Sequence, residues 1–87
     1  MFHRIKAVEP LQNYSLLIHF ENKEKKQYNI TQLIKELEPF KALIYVPGLF
    51  EQVKVDPGGY GISWNDEIDL ACDELYCNGT LINQHGS

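Results

Sequence analysis

The sequence lacks the features of a membrane or secreted protein. No apolar run approaches the roughly 18 residues that a membrane-spanning helix needs, and residues 1–5 do not begin the hydrophobic region of a signal peptide. The two cysteines, Cys72 and Cys77, are five positions apart and match no C-x-x-C metal or redox pattern. We therefore expect a cytoplasmic protein with reduced, unliganded thiols and no contact with a membrane.

Basic residues are scarce in the second half of the chain. Residues 50–87 carry seven acidic side chains and one basic side chain, Lys54, whereas residues 1–49 carry seven bases and five acids. Lys23, Lys25 and Lys26 form a basic cluster that is too short to be a convincing nucleic-acid patch. Because duplex binding depends mainly on Lys and Arg side chains that neutralise phosphates, we expect no direct binding to nucleic acid.

Alternating apolar residues predict strands. In residues 15–20, Leu16, Ile18 and Phe20 fall on one face. Two further alternating runs, residues 50–55 and 60–65, flank a Pro-Gly-Gly turn at 57–59. Their inward positions are Val53, Val55, Ile62 and Trp64. These runs predict paired strands whose apolar faces belong to the core.

A helix is predicted between these strands, over residues 31–37, with Asn29 as its N-cap and Gln32 completing a capping box. Residues 40–46 fit either a second helical turn or an irregular apolar cover. Asp69 is expected to cap a last short helix that runs from Leu70 or Ala71 to Tyr76. With 87 residues, we predict one domain over residues 1–82 and a flexible tail over 83–87.

The fold class that follows is α+β. It consists of a small, mostly antiparallel sheet of about five strands, one inserted helix and a short C-terminal helix.

Candidate catalytic patterns are weak. Asp66, Glu67, Asp69 and Asp73 are close in sequence, and they suggest a metal-dependent hydrolase or nuclease as an alternative function. Their spacing matches no metal-binding loop, so turn residues, a cap and a solvated face are the favoured interpretation. The Gly-Gly-Tyr-Gly run at 58–61 is followed by no Lys-Ser/Thr, which favours a hairpin turn over a phosphate-binding loop.

The histidines and nucleophiles indicate no active site either. His3 and His19 lack a third metal ligand, and Ser63 and Cys72 lack a recognisable base nearby in sequence. We expect no enzymatic activity, no catalytic residue, no metal site and no cofactor.

Several segments, in order and spacing, resemble a bacterial family known as domain of unknown function 2442. The segments are Tyr14-Ser-Leu-Leu-Ile-His-Phe20-Glu-Asn22, Phe50-x-x-Val53-x-Val55, Gly61-Ile-Ser-Trp64, Asp69-Leu70 and Leu75-Tyr76-x-x-Gly79. The chain departs at Lys23, where the family often has glycine, and at Asn29, where aspartate is common. The resemblance implies a small intracellular α+β domain with no established activity, which in some members is fused to a helix-turn-helix domain or paired with a neighbouring gene.

Together these patterns predict a non-enzymatic protein-interaction module. The resemblance adds the hypothesis that it is the regulatory or antitoxin-like half of a two-gene system. We expect a protein partner or self-association through a sheet edge. The predicted partner surface consists of Lys54, Tyr60, Asp66 and Glu67, where exposed charges and an aromatic ring coincide. A small-ligand sensor with a crevice beside Trp64 is a further alternative.

Overall fold

The computed structural model describes residues 3–82 of the 87-residue chain. These residues form seven strands and three short α-helices, so the expected α+β class is confirmed. The strands are β1 (Ile5–Pro10), β2 (Ser15–Phe20), β3 (Lys25–Asn29), β4 (Lys54–Val55), β5 (Gly61–Asn65), β6 (Ile68–Ala71) and β7 (Thr80–Leu81). The helices are α1 (Thr31–Glu36), α2 (Ala42–Tyr45) and α3 (Cys72–Asn78). The predicted tail, residues 83–87, lies outside the described residues.

The strands divide between two antiparallel sheets. The first has the order β1-β2-β3-β7 and the second the order β4-β5-β6. In β2, Leu16, Ile18 and Phe20 are buried while Leu17 and His19 are half-exposed, which confirms the predicted alternation. The inner face of the second sheet buries Ile62, Trp64, Ile68 and Leu70. Both sheets therefore contribute one apolar face to a common core.

Trp64 joins the second sheet to the segment that covers the core. Its side chain is 5% exposed, as expected for a core residue. The indole Nε1 donates a hydrogen bond of 3.0 Å to the backbone carbonyl of Phe50. The Phe50 ring stacks on the indole at 6.3 Å, and the Phe40 ring meets it edge-on at 6.1 Å. One side chain thus fixes a strand and two covering aromatic residues.

Two tyrosine–carboxylate pairs hold α3 against the first sheet. The Tyr28 hydroxyl donates to Glu74 over 2.6 Å, and the Tyr76 hydroxyl donates to Glu24 over 2.5 Å. Burial and the bond to Glu74 both raise the pKa of Tyr28. The bond from Tyr76 lowers the pKa of Glu24, because it stabilises the ionised carboxylate. These contacts give α3 a structural role.

No helix among residues 3–82 is long and apolar enough to cross a membrane.

The start of α3 differs from the prediction, which placed Asp69 at its N-cap. Asp69 lies in the middle of β6, where it is exposed between buried Ile68 and Leu70. That alternation has the two-residue period of a strand. The backbone of β6 forms its hydrogen bonds with β5, so the same groups are not available for a helix. The residue that precedes α3 is Ala71, which makes no side-chain capping bond. The predicted capping role of Asp69 is therefore wrong.

The predicted N-cap, Asn29, lies one residue before the observed N-cap of α1, which is Ile30. Asn29 is the last residue of β3, and its Oδ1 accepts a hydrogen bond of 2.9 Å from the backbone amide of Thr31 at the start of α1. The capping box is not completed, because the Gln32 amide donates instead to Glu36. The side chain of Asn29 therefore satisfies one of the free amides of α1 without a reciprocal partner.

The second sheet packs on the first where Gly59 meets β1. Gly59 has φ 77°, and a Cβ placed there would lie 2.7 Å from the carbonyl oxygen of Ile5. Any side chain at this position would combine a left-handed backbone with a clash against another strand. The turn between β4 and β5 therefore depends on glycine at this position.

Replacement of Gly59 by alanine tests this junction. We expect Gly59→Ala to lower the free energy of unfolding by about 3 kcal/mol or more, since backbone strain and overpacking add. The matched control is Gly48→Ala, because Gly48 has a similar φ of 80° but no heavy atom within 4 Å of the new Cβ. The control is expected to lose only about 1–2 kcal/mol. Urea unfolding followed by Trp64 fluorescence measures both, and equal losses would contradict the predicted clash.

Candidate functional site

A groove lies between the turn after β1 and the segment that contains α2. Its volume is about 340 Å³. We call it the α2 groove, and its lining consists of residues 11–14, Leu43, Ile44, residues 46–48, Phe50 and Glu51. The buried side chains of Leu43 and Phe50 form its inner wall. Since Phe50 stacks on Trp64, the inner wall of the groove is continuous with the core.

Large apolar side chains remain exposed around this groove. Tyr45 is 74% exposed, Ile44 50%, Val46 48% and Leu11 37%. We call these four residues the α2 patch. α2 has only four residues, and of these only Leu43 is fully buried. Successive helical positions point in different directions, so the residues after Leu43 turn toward solvent. Polar side chains normally occupy such positions on a solvated helix face.

One wall of the groove is built on strained backbone. Asn13 and Tyr14 are consecutive residues with φ values of 60° and 58°. The left-handed conformation is costly for a residue as large as tyrosine, about 1–3 kcal/mol per residue. The Tyr14 ring meets Phe50 edge-on at 5.2 Å, so the strained turn places an aromatic ring against the inner wall.

Asn29 holds this strained turn in place. Its Nδ2 donates 2.9 Å hydrogen bonds to the carbonyl of Asn13 and to the hydroxyl of Ser15. The backbone amide of Ile30 donates to the carbonyl of Tyr14 over 3.0 Å. β3 and the start of α1 thus fix the shape of the groove wall before any ligand binds, which is how strained segments at functional sites are maintained.

The α2 groove carries little charge. Glu51 is its one charged lining residue, and its side chain is exposed. Within residues 3–82, Glu51 forms no ion pair. No buried polar side-chain atom in this described part of the chain lacks a hydrogen-bond partner. The groove is therefore nearly uncharged, with a single carboxylate at its border, and its accessible lining contains more polar than apolar surface.

The four residues of the predicted partner surface lie elsewhere. Lys54 is exposed on β4, opposite Ser63 on β5. Tyr60 is 59% exposed and carries the Arg4 guanidinium over its ring, with a 3.2 Å hydrogen bond to its hydroxyl. Asp66 and Glu67 form the turn after β5. Tyr60 and Asp66 flank opposite ends of β5, roughly 20 Å apart along the strand. Their role as a partner surface stays a prediction.

The carboxylates of the hydrolase alternative are not brought together. Asp66 and Glu67 are in a turn, Asp69 is on β6 and Asp73 is on α3. No group of three or more His, Cys, Asp or Glu side chains able to hold a metal ion is found among residues 3–82.

The histidines and cysteines are also separated. His19 is within 2.7 Å of Glu9, whereas the His3 ring stacks on Tyr76. Both cysteines are free, with Cys72 buried and Cys77 exposed. Burial raises the pKa of the Cys72 thiol, and neighbouring Asp73 raises it further. A thiol in this environment is a poor nucleophile at neutral pH.

A second cavity, of about 220 Å³, lies at the β2–β3 hairpin. Lys6, Lys23 and Lys25 line it together with His19, Glu21 and Glu24. Lys26 is separate from this group, because its ammonium lies over the ring of Tyr76 and donates to the carbonyl of that residue. The fold thus splits the basic cluster of residues 23–26 and adds Lys6 from β1.

Comparison with known protein families gives one assignment. The family model described as a protein of unknown function, DUF2442, matches residues 5–80. The chain belongs to this family, as the resemblance of its sequence segments indicated. No curated protein matches the chain.

A similar fold is found in the crystal structure of the putative DNA binding protein NE0471 from Nitrosomonas europaea. The TM-score is 0.72 at 24% sequence identity, and the match covers 88% of this chain and 48% of that chain. The chain thus spans about half the length of this structural neighbour. At 24% identity, the similarity shows a shared fold alone.

The expectation of no direct nucleic-acid binding is wrong, because it is at odds with the description of this neighbour. The physical reason is that net charge over sequence halves does not describe a folded surface. The acidic side chains of Asp69, Asp73 and Glu74 lie on β6 and α3, whereas Lys6, Lys23 and Lys25 meet at one cavity of the first sheet, which Glu21 and Glu24 also line. Phosphate contacts depend on such local groups rather than on the total charge.

The α2 groove itself was not predicted from the sequence. The signal that marks it is the run Ala42-Leu-Ile-Tyr-Val46, which is apolar at every position and so cannot bury every side chain in one short helix. The two predicted conformations of this run, a helical turn or an apolar cover, do not by themselves indicate which of its side chains are exposed.

Substitution of Asn29 tests how the groove wall is held. Asn29→Ala removes two donated bonds and one accepted bond, so we expect a loss of about 1–3 kcal/mol in unfolding free energy. Asn29→Asp keeps the acceptor for Thr31 and loses only the donors, so its loss should be smaller. Urea unfolding measures stability, and amide chemical shifts of Asn13 and Tyr14 report the wall. A change below about 0.5 kcal/mol with unaltered shifts for Asn29→Ala would contradict the assignment.

Proposed function

We propose that the chain is a non-enzymatic protein-interaction module that binds a partner protein through the α2 groove and the surrounding α2 patch. The observation that carries the proposal is the exposure of Ile44, Tyr45 and Val46 beside a preformed, nearly uncharged cavity. Contiguous exposed apolar residues of this kind mark interaction sites, whereas single exposed residues do not.

The composition of the patch fits an interface centre. Tyrosine is enriched among residues that dominate binding energy, and full burial of a large apolar side chain contributes about 1.5–3 kcal/mol. The side chains of Ile44, Val46 and Leu11 are already partly buried, so each contributes only part of this free energy when a partner covers it. That sum must also offset the free energy lost on association, so we expect a moderate affinity typical of a regulatory contact.

The lining of the groove supports a binding role over a catalytic one. Its ionisable side chains are Tyr14 and Glu51, and Glu51 is exposed. General acid–base or nucleophilic catalysis requires reactive groups within hydrogen-bond reach of one another. A regulatory or antitoxin-like role in a two-gene system remains a prediction from the family resemblance.

Two tyrosines allow a matched test of the binding site. Quantitative affinity capture from a lysate of the native host compares the wild-type chain with Tyr45→Ser and Tyr60→Ser. We expect Tyr45→Ser to reduce recovery of the specific partner by roughly tenfold or more, as at a dominant interface residue. We expect Tyr60→Ser to change recovery little. Circular dichroism checks that both variants fold.

The reverse result has a clear meaning. If Tyr60→Ser abolishes capture and Tyr45→Ser does not, the partner surface predicted from the sequence is correct and the α2 groove is not the site. If neither variant changes specific capture, both surfaces are excluded as dominant contributors.

A second candidate function is contact with nucleic acid at the first sheet. The DNA-binding description of the structural neighbour favours it, as does the convergence of Lys6, Lys23 and Lys25 on one cavity. Glu21 and Glu24 line the same cavity and offset much of this charge. We therefore expect at most weak, salt-dependent binding to duplex DNA, with a Kd no tighter than about 10⁻⁵ M at physiological salt.

Charge reversal separates this candidate from general electrostatic attraction. In fluorescence polarisation with short labelled duplex DNA, Lys6→Glu/Lys25→Glu is expected to reduce the salt slope of log K by roughly two. The control Lys35→Glu/Lys54→Glu makes the same charge change at positions outside the cavity. Equal effects of the two double variants, or no binding by the wild type at low salt, would exclude this site.

A further inference from the structure

We infer that the α2 groove and the surrounding α2 patch accept a short segment of a basic partner protein, with one large apolar side chain against the patch and a Lys or Arg beside Glu51. This inference rests on the proposed function and specifies the chemistry of the partner. It follows from the size of the cavity, the extent of the apolar patch and the charge at its border.

The cavity alone does not account for the exposed apolar patch. At about 340 Å³ it lies near the lower limit for small-molecule pockets, which is roughly 300 Å³. A ligand confined to the cavity would leave Tyr45 in water, since that side chain is not part of the lining. A peptide segment covers both, because part of it enters the cavity while its large apolar residue covers the patch. Gly48 leaves open space at the border, with no heavy atom within 4 Å of a Cβ position, so a peptide backbone can approach there.

Charge favours a basic segment. Glu51 is the one charged group that lines the groove, and it has no ion-pair partner in residues 3–82. The chain as a whole has a net charge of −4. A cationic segment is therefore attracted at long range, and a Lys or Arg next to its large apolar residue can pair with Glu51 in the complex.

A second copy of this chain fits the groove less well. The α2 patch exposes apolar area on the order of a few hundred Å², whereas a stable interface buries about 800 Å² on each partner. Two copies with a net charge of −4 each also repel one another. A short segment requires less area and brings the opposite charge.

An unbiased peptide selection tests the inference. Random peptides displayed on phage are selected against the full chain, and the lead sequence is synthesised and measured by fluorescence polarisation. We expect the enriched sequences to share one large apolar residue next to Lys or Arg. Ile44→Asp should weaken the lead peptide by roughly tenfold or more. Glu51→Lys should weaken it by roughly threefold to tenfold, in a salt-dependent way.

The control for charge is Asp66→Lys, which makes the same reversal in an exposed turn outside the groove lining. We expect this variant to change the Kd by less than about twofold, as for a distant exposed charge. If the selected peptides lose affinity for Ile44→Asp but bind Glu51→Lys as well as the wild type, the inference of a basic segment is wrong. The proposed function is then unaffected.

Two further outcomes are decisive. Selected peptides that are insensitive to Ile44→Asp, or the absence of any enriched sequence, overturn the inference, and the tyrosine variants above then decide the proposed function separately. A concentration-dependent dimer in sedimentation velocity that Ile44→Asp dissolves also overturns it, because the groove then accepts a second copy of the chain.

Discussion

The hydrogen bond from the Trp64 indole to the Phe50 carbonyl connects the two parts of the molecule that matter most. On one side is β5, the central strand of the second sheet, and on the other is the covering segment whose Phe50 side chain forms the inner wall of the α2 groove. A buried carbonyl without a partner costs free energy, so this bond disfavours movement of the segment away from the core. The groove is therefore attached to a rigid support although its rim is irregular.

The fold separates stability from recognition. The two sheets and α3 contain regular hydrogen bonding and most of the core. The segment from residues 37–52 contains short helical turns that bury Phe40, Leu43 and Phe50 but leave other apolar side chains exposed. Exposed apolar side chains and strained residues both occur at this irregular side, at Ile44, Tyr45 and Tyr14. Binding residues are commonly placed on such segments because a rigid scaffold fixes their position without burying them.

Charge has to be considered at the level of surfaces. The acidic half of the sequence supplies Glu51 to the α2 groove, while Lys6 of β1, Lys25 of β3 and Lys23 of the turn between β2 and β3 line one cavity at the first sheet. These two regions have opposite preferences for ligands, and the total of −4 describes neither. The structural neighbour is about twice as long as this chain, so its DNA-binding description applies to a protein with a further segment of similar size.

The sequence alone determined part of the core, since alternation in β2 and β5 requires Leu16, Ile18, Ile62 and Trp64 to share buried faces. Val53 and Val55, which the alternation also predicts to point inward, are only partly buried. The sequence also determined the α+β class, but it placed the N-cap of α1 one residue early, at Asn29 instead of Ile30. Tertiary structure decided the division into two sheets and the strand at Asp69, because strand pairing depends on distant backbone partners. It alone decided the α2 groove: the residues of Ala42-Leu-Ile-Tyr-Val46 are equally apolar, and only the space left by Tyr14 and Phe50 determines which of them remain exposed.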